Sequence, residues 1–198
     1  MITDNKTDIL YLSRLLTTRE EYQSFWQRLE KILVHEKMPF SFIDNTCDIW
    51  CRDYMPIQIT RTDFIQFKYQ PSYCMDEKSR HTITDTSEVS IDQTIRSFES
   101  PLVIDGGNIV KSANRAVMTD KVFSDNKDYS KDFIIAEIQR LLNIDSLYII
   151  PRAPYDYTGH ADGMVRFIDD KTILVADYSG YSSGFKRKYT SALKSTGL

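Results

Sequence analysis

The chain has no long hydrophobic run, no long basic run and no signal-peptide pattern, and these absences narrow its possible partners. No apolar segment approaches the length of a membrane-spanning helix, so we expect no membrane partner. The net charge is −3 over 198 residues. A near-neutral chain without a basic patch is not expected to bind nucleic acid.

Cysteines are also scarce: the chain has three, Cys47, Cys51 and Cys74. An odd, sparse set without a secretion signal favours reduced thiols and a cytoplasmic location. Cys47 and Cys51 are not accompanied by a second Cys or His pair, so we expect no metal site. Gly106 and Gly107 lack the Lys-Ser or Lys-Thr of a nucleotide loop, and we expect no cofactor.

No linker rich in Pro, Gly or Ser divides the chain, which predicts a single domain over residues 1–198. The apolar fraction of 41% and the charged fraction of 27% are typical of a folded globular protein.

Helical periodicity is clearest after Thr18, where Thr18 and Glu21 fit a capping box. The apolar face of this predicted helix is formed by Tyr22, Phe25, Trp26, Leu29, Ile32 and Leu33. Weaker patterns predict further helices over 87–98, 133–142 and 184–198.

Short apolar runs predict strands over 40–44 and 147–150. Hairpins are predicted for 57–60 with 64–69, for 102–104 with 116–119, and for 164–168 with 172–176. The order helix, strand, hairpin recurs about three times, which predicts an α/β protein made of similar small modules.

Acidic residues follow several of these strands, and one histidine lies near them. Asp53 precedes Pro56, Asp105 precedes two glycines, and His160 is two residues before Asp162. Taken singly, Asp53 and Asp105 are more simply explained as turn residues. A histidine beside a carboxylate is a common proton-transfer unit, so both interpretations stay open for His160.

The three segments, in this order, resemble the agmatine deiminase family, which includes the Porphyromonas-type peptidylarginine deiminases. The family's first motif is Trp-x-Arg-Asp followed by Pro, its second is an acidic residue followed by Gly-Gly-Asn, and its third is Gly-His-x-Asp. Here they read Trp50-Cys51-Arg52-Asp53 with Pro56, Asp105-Gly106-Gly107-Asn108, and Gly159-His160-Ala161-Asp162, the last preceded by Asp156 and Thr158. Met55 stands where the family usually has Gly, and Asp105 where many members have Glu.

The resemblance covers residues 40–185 and implies an α/β propeller of five pseudo-repeated modules, the pentein fold. The three predicted modules correspond to about three fifths of it, so we expect a deiminase-like domain truncated before the C-terminal modules. Such a domain is expected to associate with itself or with a complementing C-terminal fragment.

The resemblance also implies catalytic roles for Asp53, Asp105, His160 and Asp162. Asp53 and Asp162 would bind a guanidinium group, His160 would carry protons, and Asp105 would orient His160. Trp50 and Asn108 would line the substrate pocket.

The family reaction uses a cysteine thiolate near the C-terminus, in a Gly-rich motif. The residues after Asp177 contain no Cys, and Cys47, Cys51 and Cys74 all precede the second motif. Three hypotheses therefore stay open. The first is hydrolytic deimination, of agmatine to N-carbamoylputrescine and ammonia or of peptidyl-arginine to citrulline, by a family fold whose thiol is missing from this chain. The second is a non-catalytic guanidinium-binding or assembly protein derived from the same fold. The third is an enzyme that is active in an assembly, in which a separate polypeptide brings the missing modules and the thiol.

Overall fold

The strands of the computed structural model form small sheets of two or three strands. The structure describes residues 1–89, 91 and 96–197. In these ranges the strands are β1 (Leu10–Ser13), β2 (Phe40–Ile43), β3 (Ile57–Gln58), β4 (Asp63–Lys68), β5 (Arg96–Val103), β6 (Val110–Lys111), β7 (Arg115–Thr119), β8 (Ser146–Ile150), β9 (Val165–Asp169) and β10 (Thr172–Val175).

Helices connect these strands and cover them. They are α1 (Leu15–Thr18), α2 (Glu20–His35), α3 (Cys51–Tyr54), α4 (Lys121–Asp125), α5 (Lys131–Leu142) and α6 (Ser183–Lys194). Two short 3₁₀ turns, Ser72–Cys74 and Gly106–Asn108, contribute to the site described below. No helix in the described ranges combines the length and the apolar character that crossing a bilayer requires.

Two three-stranded sheets share one connectivity, an antiparallel hairpin followed by a parallel third strand. β3 pairs antiparallel with β4, and β4 pairs parallel with β5. β6, β7 and β8 repeat this arrangement, with α4 and α5 forming the crossover that a parallel pair requires. The fold is therefore mixed α/β and contains repeated modules.

The remaining strands form two-stranded sheets. β1 and β2 are parallel and are connected through α1 and α2, and β9 and β10 form a hairpin followed by α6. These pairs match parts of the three-stranded module. The closure of such modules into a propeller stays a prediction.

The long N-terminal helix forms as predicted, but its start differs from the predicted capping box. Thr18 is the last residue of α1, and its hydroxyl donates to the Arg14 carbonyl oxygen at 3.4 Å. Arg19 is extended, and α2 begins at Glu20 without a side-chain cap. The capping-box prediction is wrong because Thr18 already belongs to the preceding short helix, α1.

The helix predicted over 133–142 is confirmed as α5, and its ends show why it forms there. Ser130 Oγ accepts the Phe133 N–H at 3.2 Å, which satisfies a free donor of the first turn. Asn143 adopts a left-handed conformation (φ 51°) that ends the helix. The helix predicted over 184–198 is confirmed as α6, which ends at Lys194.

Two of the three predicted hairpins are confirmed. β3 pairs with β4 and β9 pairs with β10, both antiparallel. The hairpin of 102–104 with 116–119 is wrong, because β7 pairs with β6 and β8 instead of with β5. The 3₁₀ turn at Gly106–Asn108 leads the chain into β6, a strand of two residues that is too short to leave a clear pattern.

The helix predicted over 87–98 is wrong where it overlaps β5. Arg96, Ser97 and Phe98 begin that strand and pair with Asp63, Phe64 and Ile65 of β4. The prediction for residues 90 and 92–95 lies outside the described residues.

The main hydrophobic core lies against the two three-stranded sheets and holds the turn that carries Asp105. Leu102, Ile104 and Ile109 flank this turn and are at most 3% exposed. Each fully buried residue of this kind contributes about 1.5–3 kcal/mol through the hydrophobic effect. The rest of this core is Ile57, Ile65, Phe67, Ala116, Met118, Val122, Ile134, Ile138, Leu142 and Ile144.

Candidate active site

The four predicted catalytic residues come from three separate parts of the chain. Asp53 lies in α3, Asp105 follows β5, and His160 and Asp162 lie in the connection between β8 and β9. The backbone of Gly107 links these parts. Its N–H donates to Asp53 Oδ1 at 2.9 Å, and its carbonyl oxygen accepts the Asp162 N–H at 3.1 Å.

His160 is buried, and each of its ring nitrogens lies near a carboxylate. Nε2 is 3.0 Å from Asp105 Oδ2, and Nδ1 is 3.5 Å from Asp53 Oδ1. The Asp105 side chain thus reaches the imidazole directly. Two carboxylates around one ring favour the doubly protonated form, which donates from both nitrogens.

Gly107 occupies the point where the functional groups converge. A Cβ atom at this residue would lie 2.5 Å from Asp53 Oδ1, 2.6 Å from His160 Nδ1 and 3.1 Å from Asp162 Oδ2. Any larger residue would push these groups apart. The glycine therefore lets three polar side chains surround one small volume.

Burial and neighbouring charges shift the pKa values of Asp53, Asp105 and His160. Burial raises the pKa of Asp53 to about 6, helped by the negative charges of Asp105 and Asp162. Burial opposes ionisation of Asp105, but hydrogen bonds from His160 and Lys121 outweigh it and lower the Asp105 pKa. Burial likewise opposes the charged form of His160, but the surrounding carboxylates raise the His160 pKa.

Lys121 is a part of this cluster that sequence reasoning missed. Its Nζ lies 2.8 Å from Asp105 Oδ2 and also contacts Asp125 Oδ2, four residues along α4. Its side chain is 3% exposed. A single lysine after a strand has no distinctive pattern, so no motif pointed to it.

Tyr73 is a second residue that the sequence did not reveal. Its ring centroid is 5.7 Å from that of His160 in an edge-to-face arrangement and 5.6 Å from that of Tyr157. Lys121 Nζ lies 5.6 Å from the centroid of the same ring. Burial and the charges of Asp105 and Asp53 raise the Tyr73 pKa, which keeps its hydroxyl neutral.

The two predicted pocket residues occupy different environments. The Trp50 side chain is 67% exposed. Asn108 is 2% exposed, and its Oδ1 accepts the Thr119 N–H at 2.9 Å. The Thr119 hydroxyl in turn donates to the Gly159 carbonyl oxygen at 2.5 Å. Asn108 thus connects the Gly-Gly turn through Thr119 to the segment that carries His160.

The three cysteines are unpaired, and two of them have environments that disfavour a thiolate. Burial raises the pKa of both Cys51 and Cys74. Cys51 Sγ lies 3.2 Å from the Tyr54 hydroxyl, within a small buried cluster that includes Ile43. In the described ranges, no group of three or more His, Cys, Asp or Glu side chains could hold a metal ion.

A cavity of about 300 Å³ lies beside the segment that carries His160. Asp156 and Gly163, which flank this segment, belong to its lining. The Asp156 carboxylate accepts hydrogen bonds from the Thr158 N–H at 2.9 Å and the Thr158 hydroxyl at 2.7 Å. The four predicted catalytic side chains are not part of the lining of this cavity.

Solved structures share the fold. A substrate-bound agmatine deiminase variant from C. jejuni superposes with a TM-score of 0.71 at 16% identity, covering 96% of this chain and 69% of that chain. The agmatine deiminase of Enterococcus faecalis has a TM-score of 0.67 at 13% identity, with 94% and 62% covered. DDAH from Pseudomonas aeruginosa, complexed with citrulline, has a TM-score of 0.51 at 8% identity, with 92% and 74% covered.

No curated protein matches this chain significantly. A family model does match, over residues 11–195, and its description is Porphyromonas-type peptidyl-arginine deiminase. This range contains all three motifs and nearly the whole chain. The chain therefore belongs to the Porphyromonas-type peptidyl-arginine deiminase family.

Proposed function

We propose that this chain binds a guanidinium group and performs the proton transfers of its hydrolytic deimination. The supporting observation is the convergence of Asp53, His160 and Asp162 around Gly107. A guanidinium group is planar and carries N–H donors on its edges, which carboxylates bind in pairs. Asp53 and Asp162 would bind these edges.

His160 would supply and remove protons at successive steps. A thiolate adds to the guanidinium carbon, and the protonated imidazole gives its proton to the departing nitrogen, which leaves as ammonia. Neutral His160 then takes a proton from water, whose oxygen attacks the same carbon. The carbon–oxygen double bond then forms as the carbon–sulfur bond breaks, and the ureido product and the thiolate are released. The remaining hydroxyl proton passes to solvent, where the released ammonia takes it up as ammonium. Asp105 keeps the ring oriented in both steps.

The thiolate in this scheme would come from outside residues 1–198. The raised pKa values of Cys51 and Cys74 argue against either as the nucleophile. A segment outside residues 1–198 that carries such a thiol would bring it to the site and complete a propeller of five modules. Unpaired, reduced cysteines fit a cytoplasmic setting for such an assembly.

The alternative function is guanidinium binding without turnover. It keeps the roles of Asp53 and Asp162 and needs no thiol. His160 favours the catalytic hypothesis, because a binding site has no need of a buried imidazole between two carboxylates.

Free agmatine and peptidyl-arginine are the two substrate classes we propose. Structural relatives include agmatine deiminases, and the family takes its name from peptidyl-arginine. Trp50 is the residue proposed for substrate contact, and Asn108, for which the family motif implies such contact, is proposed to support the site. Trp50 is exposed, as expected for a residue on the outer wall of the substrate pocket. Asn108 is buried, as expected for a residue that supports the site from behind.

Calorimetric titration tests the binding step directly. Agmatine and an arginine peptide are titrated into the chain. The control is N-carbamoylputrescine, which keeps the primary amine of agmatine but has an uncharged ureido group in place of the guanidinium group. We expect a guanidinium ligand to bind at least about tenfold more tightly than the control. We also expect Asp162→Asn to remove this preference and the exposed Asp128→Asn to retain it. Equal binding of agmatine and the control would contradict the proposal.

An ammonia-release assay separates the two hypotheses. Preserved binding without ammonia release from the isolated chain is expected under both of them. Ammonia release on adding cell extract or a cysteine-bearing C-terminal fragment of a relative supports the catalytic one. Release by the isolated chain would contradict our assignment of the thiol to a segment outside residues 1–198.

A further inference from the structure

We propose that Lys121 is a positioning residue of this site: it shares Asp105 Oδ2 with His160 and so limits the negative charge that the imidazole experiences. The placement of Lys121 is independent of the proposed reaction. Its consequence for proton transfer rests on the proposed function.

Lys121 and His160 contact the same oxygen atom. Lys121 Nζ is 2.8 Å and His160 Nε2 is 3.0 Å from Asp105 Oδ2. The other oxygen, Asp105 Oδ1, is buried and has no hydrogen-bond partner within the described part of the chain. The two cationic groups therefore compete for one acceptor.

Several contacts keep Lys121 in this position. Its backbone N–H donates to Thr119 Oγ1 at 3.3 Å, and its ammonium group also contacts Asp125 Oδ2. Gly159 (φ +66°) lies against its stem, where a Cβ would be 3.3 Å from Lys121 Cδ. Gly159 directly precedes His160, so the lysine stem and the imidazole are held next to each other.

The charged and titratable groups around His160 come from every neighbouring element. Asp53 belongs to α3, Asp105 follows β5, and Tyr73 belongs to the 3₁₀ turn after β4. The segment of His160 itself supplies Asp156 and Asp162. Lys121 is the cation that the structure places against Asp105, so it offsets part of this negative charge.

A proton shuttle must release its proton as well as hold it. Carboxylates on both sides of His160 favour the imidazolium, and without an opposing cation they would bind the proton too strongly for the water step. Lys121 reduces this effect while keeping Asp105 ionised. A hydrophobic residue at this position would pack but would not provide this balance.

NMR titration of uniformly ¹⁵N-labelled protein tests the proposal without requiring turnover. The chain has three histidines, and the exposed His35 and His81 give reference signals in the same spectra. His160→Gln assigns the third signal. We expect Lys121→Gln to raise the pH midpoint of the His160 titration by about half a pH unit or more, because a nearby positive charge is removed. Lys121→Arg should stay closer to the wild type.

A control lysine and a second variant make the test decisive. Lys127→Gln, at an exposed position of the chain, should leave the midpoint unchanged. Asp125→Asn frees Lys121 to bind Asp105 more strongly and should move the midpoint downward. If Lys121→Gln does not fold, Asp125→Asn decides the question, provided that its urea midpoint matches that of the wild type and so excludes structural damage as the cause of a lower His160 midpoint.

The opposite signs separate a charge effect from structural damage. Loss of the folded site would bring the His160 midpoint down toward that of an ordinary histidine, whereas the proposal requires Lys121→Gln to raise it. An unchanged or lower midpoint in folded Lys121→Gln would overturn the proposal. So would an unchanged or higher midpoint in Asp125→Asn. Failure to bind agmatine would overturn the proposed function but not this result.

Discussion

The Asp162 N–H donates a hydrogen bond of 3.1 Å to the Gly107 carbonyl oxygen, which ties the segment of His160 to the turn after Asp105. The same glycine donates its own N–H to Asp53 Oδ1. One residue without a side chain thus fixes the relative positions of both carboxylates proposed to bind guanidinium. The geometry of the site depends on the backbone as much as on the side chains.

Gly107→Ala should damage the site and the fold together. The added Cβ would be within 2.5 Å of Asp53 Oδ1 and 2.6 Å of His160 Nδ1, so both side chains must move. We expect a loss of about 1–3 kcal/mol in the free energy of unfolding, as for overpacked cores. Urea denaturation measures the stability, and titration with agmatine should show at least a tenfold loss of affinity.

Gly184→Ala is the matched control for this change. A Cβ at Gly184 meets no atom within 4 Å, and the residue lies in the first turn of α6. Alanine is favoured over glycine in helices by about 0.5–1 kcal/mol, so this variant should be slightly more stable than the wild type. A Gly107→Ala protein as stable as Gly184→Ala would show that the site has room that the structure does not indicate.

Asp53→Asn should stabilise the protein at alkaline pH. The folded-state pKa of Asp53 is raised to about 6, above its ordinary value of 3.8, so the folded state binds this proton more tightly than the unfolded state does. Stability therefore falls as pH rises from about 4 to about 6 and stays lower above that range. We expect the variant to exceed the wild type by about 1–3 kcal/mol at pH 8, with the difference disappearing near pH 4.

Denaturation curves measured from pH 4 to pH 8 check this expectation, with Asp128→Asn as the exposed control. The control should follow the wild type at every pH. A gain for Asp53→Asn that is the same at pH 4 and at pH 8 would mean that ionisation of Asp53 is not its cause. The proposed function adds that the stabilised variant binds guanidinium more weakly.

The parts of the site that short motifs carry were predictable from the sequence. The structure places Asp105 and Asp53 near His160, and Asp162 beside Gly107, as expected for neighbours in one site. Such motifs combine glycine with charged residues at fixed spacing, so few other arrangements fit them. Their catalytic roles stay predictions.

The features that the sequence did not predict are not marked by a short sequence motif. Lys121 lies in an ordinary short helix, and its contact with Asp105 depends on how α4 follows β7. Tyr73 belongs to an irregular connection after β4, where periodicity gives no information. The wrong hairpin at 102–104 has a related cause, because β6 contains two residues and its pairing with β7 depends on the preceding turn.

Asn108→Ala should reduce stability far more than it reduces affinity. Asn108 is 2% exposed, and its Oδ1 accepts the buried Thr119 N–H at 2.9 Å. Alanine would leave that donor without a partner, which costs about 1–3 kcal/mol. We expect a lower urea midpoint, together with agmatine affinity within about threefold of the wild type for the folded fraction.

Asn114→Ala is the control, because Asn114 is exposed and bonds to Asp145 at the surface. A large loss of affinity with unchanged stability would show that Asn108 contacts the ligand directly, as the family motif implies. A loss of stability alone would assign it to the link between the Gly-Gly turn and the segment of His160, which Thr119 completes through its hydrogen bond to Gly159.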